Sequence, residues 1–88
     1  MLVKVVFSGS VQGVGFRYRT EDFARELSIK GTVRNVPDGT VELYAQGSKE
    51  MIDALIDKLR GCFANAITHV DRQVVASSTT FSDFRITA

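Results

Sequence analysis

Between Ser8 and Arg17 the chain reads SGSVQGVGFR, so three of its seven glycines, Gly9, Gly13 and Gly15, crowd together and an arginine closes the stretch. A run of β-branched and aromatic residues precedes it and a helical pattern follows. A glycine-bearing loop between a strand and a helix can turn several backbone N–H groups into one small concavity, a geometry that takes up anions. The first helical turn adds N–H donors with no partner inside the helix, together with the positive end of the helix dipole. Glycine lets the backbone approach a ligand with no Cβ in the way. Arg17, at the helix start, carries a planar fork of donors that suits a phosphate or carboxylate better than a lysine would. The first twenty residues hold Lys4, Arg17 and Arg19 and no acid, so a negative partner is expected to meet this third of the chain. A tight turn followed by a solvated arginine accounts for the same residues equally well.

Other chemistries find less support. Gly13-Val14-Gly15 lacks the third glycine of a dinucleotide fingerprint, and no Gly-Lys-Ser/Thr follows Gly9 as an ATPase loop requires. Cys62, the single cysteine, has no arginine in the short loop after it as a cysteine phosphatase would, and alone it can form neither an intrachain disulfide nor a four-ligand zinc site. It reads as a small buried or half-buried filler. His69, the single histidine, alternates within a strand pattern and reads as structural or surface. Ser8 and Ser10 have no base partner, and no paired aspartates offer a magnesium site.

These groups need a scaffold, and 88 residues limit it to one modest core and two layers; a single domain over residues 1–88 is expected. An apolar fraction of 44% with one proline belongs to a globular chain. The net charge of +1 lacks the broad basic footprint of nucleic-acid binding. The longest apolar stretches are strand-length, and Met1-Leu2-Val3-Lys4 opens a strand pattern in place of a secretion leader, so a cytoplasmic location without a membrane partner is expected.

Leu2 to Ser8 reads as a strand with Val3, Val5 and Phe7 on one face and Lys4 and Ser8 on the other. From Phe16 the period becomes helical through Thr20, Phe23, Ala24 and Leu27, with Glu21–Arg25 and Glu26–Lys30 as outer pairs and Gly31 as the stop. Thr32–Val36 and Thr40–Gln46 form a hairpin across Pro37-Asp38-Gly39. Ser48 caps a second helix whose stripe is Met51, Ile52, Leu55, Ile56 and Leu59, with Asp53, Asp57 and Lys58 facing water and Gly61 as its terminator. Ile67–Ala76 and Phe81–Thr87 read as two further strands. The order βαββαββ predicts an α+β fold: a two-layer α/β sandwich, ferredoxin-like βαββαβ with an added C-terminal strand, a mostly antiparallel sheet and both helices on one face.

Two stretches resemble the signature regions of the acylphosphatase family. The first matches as Gly9-x-Val11-Gln12-Gly13-Val14-x-Phe16-Arg17 and the second as Gly31-x-Val33-Arg34-Asn35-x-x-Asp38-Gly39-x-Val41-Glu42. The similarity continues through Val70-Asp71 and Phe81-Ser82-Asp83-Phe84-Arg85-Ile86. It implies hydrolysis of the carboxyl–phosphate bond of acyl phosphates. Arg17 would bind the phosphate, Asn35 would position the water, and backbone N–H groups of Val11, Gln12, Gly13, Val14, Gly15 and Phe16 would form the cradle. Ser10, Thr32 and Ser28 depart from commoner family choices, at positions that touch neither Arg17 nor Asn35.

Such chemistry needs little machinery, because phosphoryl transfer depends mainly on positioning and charge stabilisation. A carboxylate leaves at neutral pH without a protein proton donor, its conjugate acid having a pKa of about 4. Asn35 is neutral and can accept a water hydrogen without adding charge beside a dianion. No metal or cofactor is expected, and the expected partner is a small acyl phosphate met by a monomer, with no nucleic acid. A non-catalytic anion-binding domain would keep the cradle without turnover. An RNA-binding domain of βαββαβ layout is suggested by Gly13-Val14-Gly15-Phe16-Arg17, but that motif precedes a helix, and the third strand offers only Tyr44 for stacking.

Overall fold

The alternation in the first strand decides which side of the sheet is covered. Val3, Val5 and Phe7 have no exposed surface, whereas Lys4 and Ser8 on the other face are half-buried. A computed structural model describes residues 1–88, as β1 (Leu2–Gly9), α1 (Phe16–Glu26), β2 (Lys30–Asn35), β3 (Val41–Gln46), α2 (Lys49–Cys62), β4 (Ile67–Val74) and β5 (Phe84–Ile86). The strands form one sheet in the order β4-β1-β3-β2-β5, antiparallel throughout except where β5 runs parallel to β2. Each helix crossover skips one strand: β3 lies between β1 and β2, and β1 lies between β3 and β4. This is the expected ferredoxin-like α+β arrangement with a fifth strand added.

Both helices lay their apolar stripes on the same face. Phe16, Thr20 and Ala24 of α1 and Ile52, Leu55, Ile56 and Leu59 of α2 are buried, and all but Thr20 join Val33, Val41, Leu43 and the inward residues of β1 in one core cluster. The buried Thr20 hydroxyl donates to the Phe16 carbonyl at 2.7 Å, so its polarity is satisfied inside its own helix. Ser48 caps α2 by accepting from the Met51 amide at 3.2 Å. Glu21 and Arg25 pair at 3.5 Å on the outer face of α1.

The structure corrects several details. Gly31 does not stop α1; it is a residue of β2. The helix ends four residues from Gly31 at Leu27, with Ser28 in the left-handed region at φ 56°. The Ser28 amide donates to Arg25 and the Ile29 amide to Ala24, the two bonds of a Schellman closure made with serine where glycine is usual. Lys30 is consequently in a strand and forms no pair with Glu26. Gly61 lies inside α2, which closes at Phe63 through a bond to the Leu59 carbonyl. Phe63, packed at 4.8 Å from the Phe16 ring, takes the inward place after Leu59, so Cys62 is exposed and fills no core space. Met51 is also exposed, and Asp53 is tied to Lys49 and Arg72. β4 stops at Val74 because its partner β1 runs out, Val3 facing Val74. β5 is shorter than expected because Gln46 holds the preceding segment through its side chain, donating to Thr79 and accepting from the Phe81 amide, each at 2.9 Å.

Candidate active site

β1 and β2 are parallel, so the loop leaving β1 and the turn leaving β2 emerge at the same end of the sheet. With β3 between them, the two strand ends stand two ladder spacings apart, about 9.5 Å. That gap is the width of a small ligand.

The loop is fixed at three points. At Gly9 the β1–β4 register shifts and φ is 122°; a side chain there would run into the Ala66 carbonyl, which accepts from the Ser10 amide at 2.9 Å. Val11 and Phe16 are buried pegs, Phe16 packing on Phe7 at 5.0 Å, and the arc Gln12–Gly15 between them is exposed. Gly13 and Gly15 take φ 77° and 80° on either side of Val14, an alternation that gathers successive N–H groups toward one side. None of the backbone amides from Val11 to Tyr18 donates to an acceptor in the protein. Gly15 itself caps α1 without a side-chain bond.

On the other side, strand parity puts Asn35 on the same sheet face as the buried Val33, toward the helices, while Arg34 points to the open face. There Arg34 pairs with Glu42 at 2.9 Å, a bond that raises its already high pKa, and Lys4 stands 3.7 Å from the same carboxylate. The turn after Asn35 is well bonded. The Gly39 amide donates to Val36 at 3.0 Å, and the Asp38 carboxylate accepts from the Thr40 hydroxyl at 2.7 Å and the Thr40 amide at 3.0 Å. Those bonds, the hydroxyl first, hold the Asp38 carboxyl below its ordinary pKa.

Loop and hairpin are joined by one side chain. Gln12 Nε2 donates to the carbonyls of Val36 at 2.8 Å and Thr40 at 2.9 Å, at either side of the turn. The resemblance implies a role only for the backbone N–H of Gln12. Nothing in the sequence pointed to this tether, because its acceptors are main-chain carbonyls 24 and 28 residues away.

Between the two lies a recess of about 240 Å³ lined by Val11, Gly13, Gly15, Phe16, Arg17, Tyr18 and Asn35. Arg17 has no carboxylate partner, and neither Arg17 nor Asn35 has a side-chain hydrogen bond within the protein. Of the residues singled out in the sequence, Gln12 and Val14 do not line this recess: Gln12 turns to the hairpin, and Val14 borders a neighbouring recess. Tyr18, not singled out before, lines both. Unpartnered amides, a guanidinium and a neutral carboxamide that line one recess are groups able to hold a tetrahedral anion and one water.

The family sequence model that matches this chain is Acylphosphatase, over residues 3–86. The chain belongs to the acylphosphatase family. Its curated relatives include the acylphosphatase of Paenarthrobacter aurescens, 49% identical over 80 residues that span 90% of this chain and 85% of that one. Among solved structures, the acylphosphatase from Bacillus subtilis superposes with a TM-score of 0.88 at 28% identity, covering 100% of both chains. That from Coxiella burnetii gives 0.86 at 33% identity, covering 98% of this chain and 90% of the other. As an acylphosphatase, the chain is an enzyme of acyl phosphate hydrolysis, the reaction implied by its two signature stretches.

Proposed function

We propose that the enzyme cleaves the carboxyl–phosphate bond by direct in-line attack of a water molecule, with Arg17 and the backbone amides from Val11 to Phe16 holding the phosphoryl group and Asn35 holding the water. The observation that carries this reading is that unpartnered amides, an unpaired Arg17 and a free Asn35 side chain border one recess. Backbone amide dipoles together with one full positive charge facing a dianion are the preorganised electrostatics on which phosphoryl transfer depends. The Asn35 amide oxygen accepts a water hydrogen and aims the water oxygen at phosphorus. The new P–O bond forms as the bond to the carboxyl oxygen breaks; the carboxylate departs with the electron pair, and the water's proton passes to a phosphoryl oxygen. No metal or cofactor enters the scheme. The same reading places the enzyme in the cytoplasm, acting as a monomer on a small acyl phosphate.

The test is hydrolysis of benzoyl phosphate in EDTA by the wild type, Arg17→Ala and Asn35→Ala, each checked for folding by circular dichroism. Arg17→Ala is expected to lose at least about 10²- to 10³-fold in kcat/KM, the usual loss on deleting one preorganised donor. Asn35→Ala is expected to lower kcat while inorganic phosphate still inhibits with nearly unchanged affinity. Phosphate binding without turnover in the wild type would leave only an anion-binding domain. Weakened phosphate affinity with kcat intact in Asn35→Ala would reverse the assignment of the two side chains.

A further inference from the structure

The turn beside Asn35 holds the one place in the chain where an aspartate or asparagine precedes glycine, Asp38-Gly39. We infer that Asp38 is a modification site, converted spontaneously to isoaspartate as the protein ages, that Thr40 restrains the conversion, and that turnover is lost with it. The last clause rests on Asn35 holding the water at the strand end next to this turn.

Exposure and chain chemistry select this pair. Both residues are exposed, and a side chain built on Gly39 would stand in open space. Glycine has no Cβ to screen its own nitrogen. Every other aspartate and asparagine is followed by a residue that carries a side chain. In the reaction, the Gly39 nitrogen gives up its proton and attacks Cγ of Asp38. The N–Cγ bond forms as a carboxyl C–O bond breaks and the hydroxyl leaves as water, closing a five-membered succinimide. Water then opens that ring at the main-chain carbonyl carbon, so the chain runs through Cβ and Cγ and a carboxylate is left on Cα. One water leaves and one returns, and the mass is unchanged.

The native turn opposes each requirement of that chemistry. Asp38 Oδ1 accepts from the Thr40 hydroxyl at 2.7 Å and the Thr40 amide at 3.0 Å, which ties the carboxylate to residue 40 and away from the nitrogen of residue 39. The same bonds keep it an anion at neutral pH, and an anion lacks the hydroxyl that has to leave. The Gly39 N–H is itself engaged, donating to the Val36 carbonyl at 3.0 Å. Of these restraints the Thr40 hydroxyl is the one that a substitution deletes without touching a reacting group. A hydrogen bond to a charged acceptor is strong enough that its loss raises the freed population about tenfold. Conversion also reaches the site. It adds one carbon to the main chain, about 1.5 Å, between Val36 and Thr40, whose carbonyls are the two acceptors of Gln12 Nε2. Their relative position changes, and Asn35 loses its fixed place beside the glycine loop.

The test ages the wild type, Thr40→Val, Thr40→Ser and the double variant Asp38→Ala/Thr40→Val side by side for weeks at physiological temperature and neutral pH. Isoaspartate is scored with protein isoaspartyl methyltransferase and located by peptide mapping, where it shifts elution at constant mass. Steady-state kcat on benzoyl phosphate and inhibition by inorganic phosphate are read from the same samples. In the wild type the first isoaspartate is expected at residue 38. Thr40→Val is expected to accumulate it about tenfold faster, Thr40→Ser at nearly the wild-type rate, and the double variant not at all at that position. In each sample kcat is expected to fall in step with conversion while phosphate inhibition changes little, and the double variant to keep its starting kcat. Wild-type isoaspartate that arises first at another residue, or equal rates in Thr40→Val and the wild type, overturns the inference. A converted sample with undiminished kcat overturns the link to turnover. Failure of the underlying reading of Asn35 looks different: Asn35→Ala keeps full kcat when fresh, while residue 38 still converts.

Discussion

Replacing Gln12 with alanine separates holding the fold from holding the site. The substitution removes two hydrogen bonds, at 2.8 and 2.9 Å, from an exposed side chain to the carbonyls of Val36 and Thr40. Both bonds are solvent-exposed, so each lost bond costs about 0.5–1 kcal/mol, the lower part of the usual range, and the pair about 1–2 kcal/mol. For a chain of this length, melting should fall by roughly 5–15 °C, with the protein still folded at 25 °C. On the proposed mechanism the catalytic cost should be larger, because the Gln12 side chain bonds the glycine loop to the turn beside Asn35. A displacement of about 1 Å in a reacting geometry can cost about 10²-fold. Gln12→Ala is therefore expected to lower kcat by about 10- to 100-fold at 25 °C. Inhibition by inorganic phosphate should change less than threefold or so, since Arg17 and the loop amides stay together. Steady-state kinetics on benzoyl phosphate beside a thermal melt supply both readings. A lowered melting temperature with wild-type kcat would refute the reasoning, because Gln12 would then stabilise the hairpin without aligning the water.

Ser28 sits at φ 56°, a left-handed position costing a side-chain-bearing residue about 1–2 kcal/mol, part of which glycine's greater unfolded-state freedom offsets; Ser28→Gly should stabilise by about 0.5–1 kcal/mol in denaturant melts, without altering kcat. Asp38, held by Thr40, and Asp53, held first by Lys49 and then by Arg72, both have folded pKa values below their ordinary ones. Their contribution is thus fully present above the unfolded carboxylate pKa, about 3.9, and is lost as pH falls through the folded values; urea midpoints should decline below about pH 4, less steeply in Asp38→Asn/Asp53→Asn than in the wild type.

The readable parts of this fold were those in which one residue type decides one local outcome. Val3, Val5 and Phe7 alternate with polar neighbours, and only one sheet face could be covered. Pro37-Asp38-Gly39 fixes a turn whose glycine takes φ 95°. The misread parts were those settled by competition between segments. Gly31 looked like a helix stop, but the hairpin register places it opposite Ala45, and Ser28 had to take the left-handed position instead. Cys62 and Phe63 both continue the α2 stripe after Leu59, and the larger ring won the space beside Phe16. At the site, Arg17 and Asn35 could be marked from the signature stretches, and so could the glycine loop. The neighbouring recess could not, since Val14, Tyr18 and Phe63 meet only once the end of α2 is brought beside the start of α1.

β3 lies between β1 and β2 in space but follows both in the chain. On the ribosome, the arginine and the asparagine are therefore synthesised before the strand that sets their separation. A nascent chain ending at the Pro37 turn contains each chemical group and has no means to space them. Insertion of Val41–Gln46 is thus the step that sets the spacing of Arg17 and Asn35, and on the proposed mechanism chains arrested before residue 46 should be inert. The same ordering makes β3 a ruler: a change to its pairing on either side would retune the distance between Arg17 and Asn35 without touching either residue.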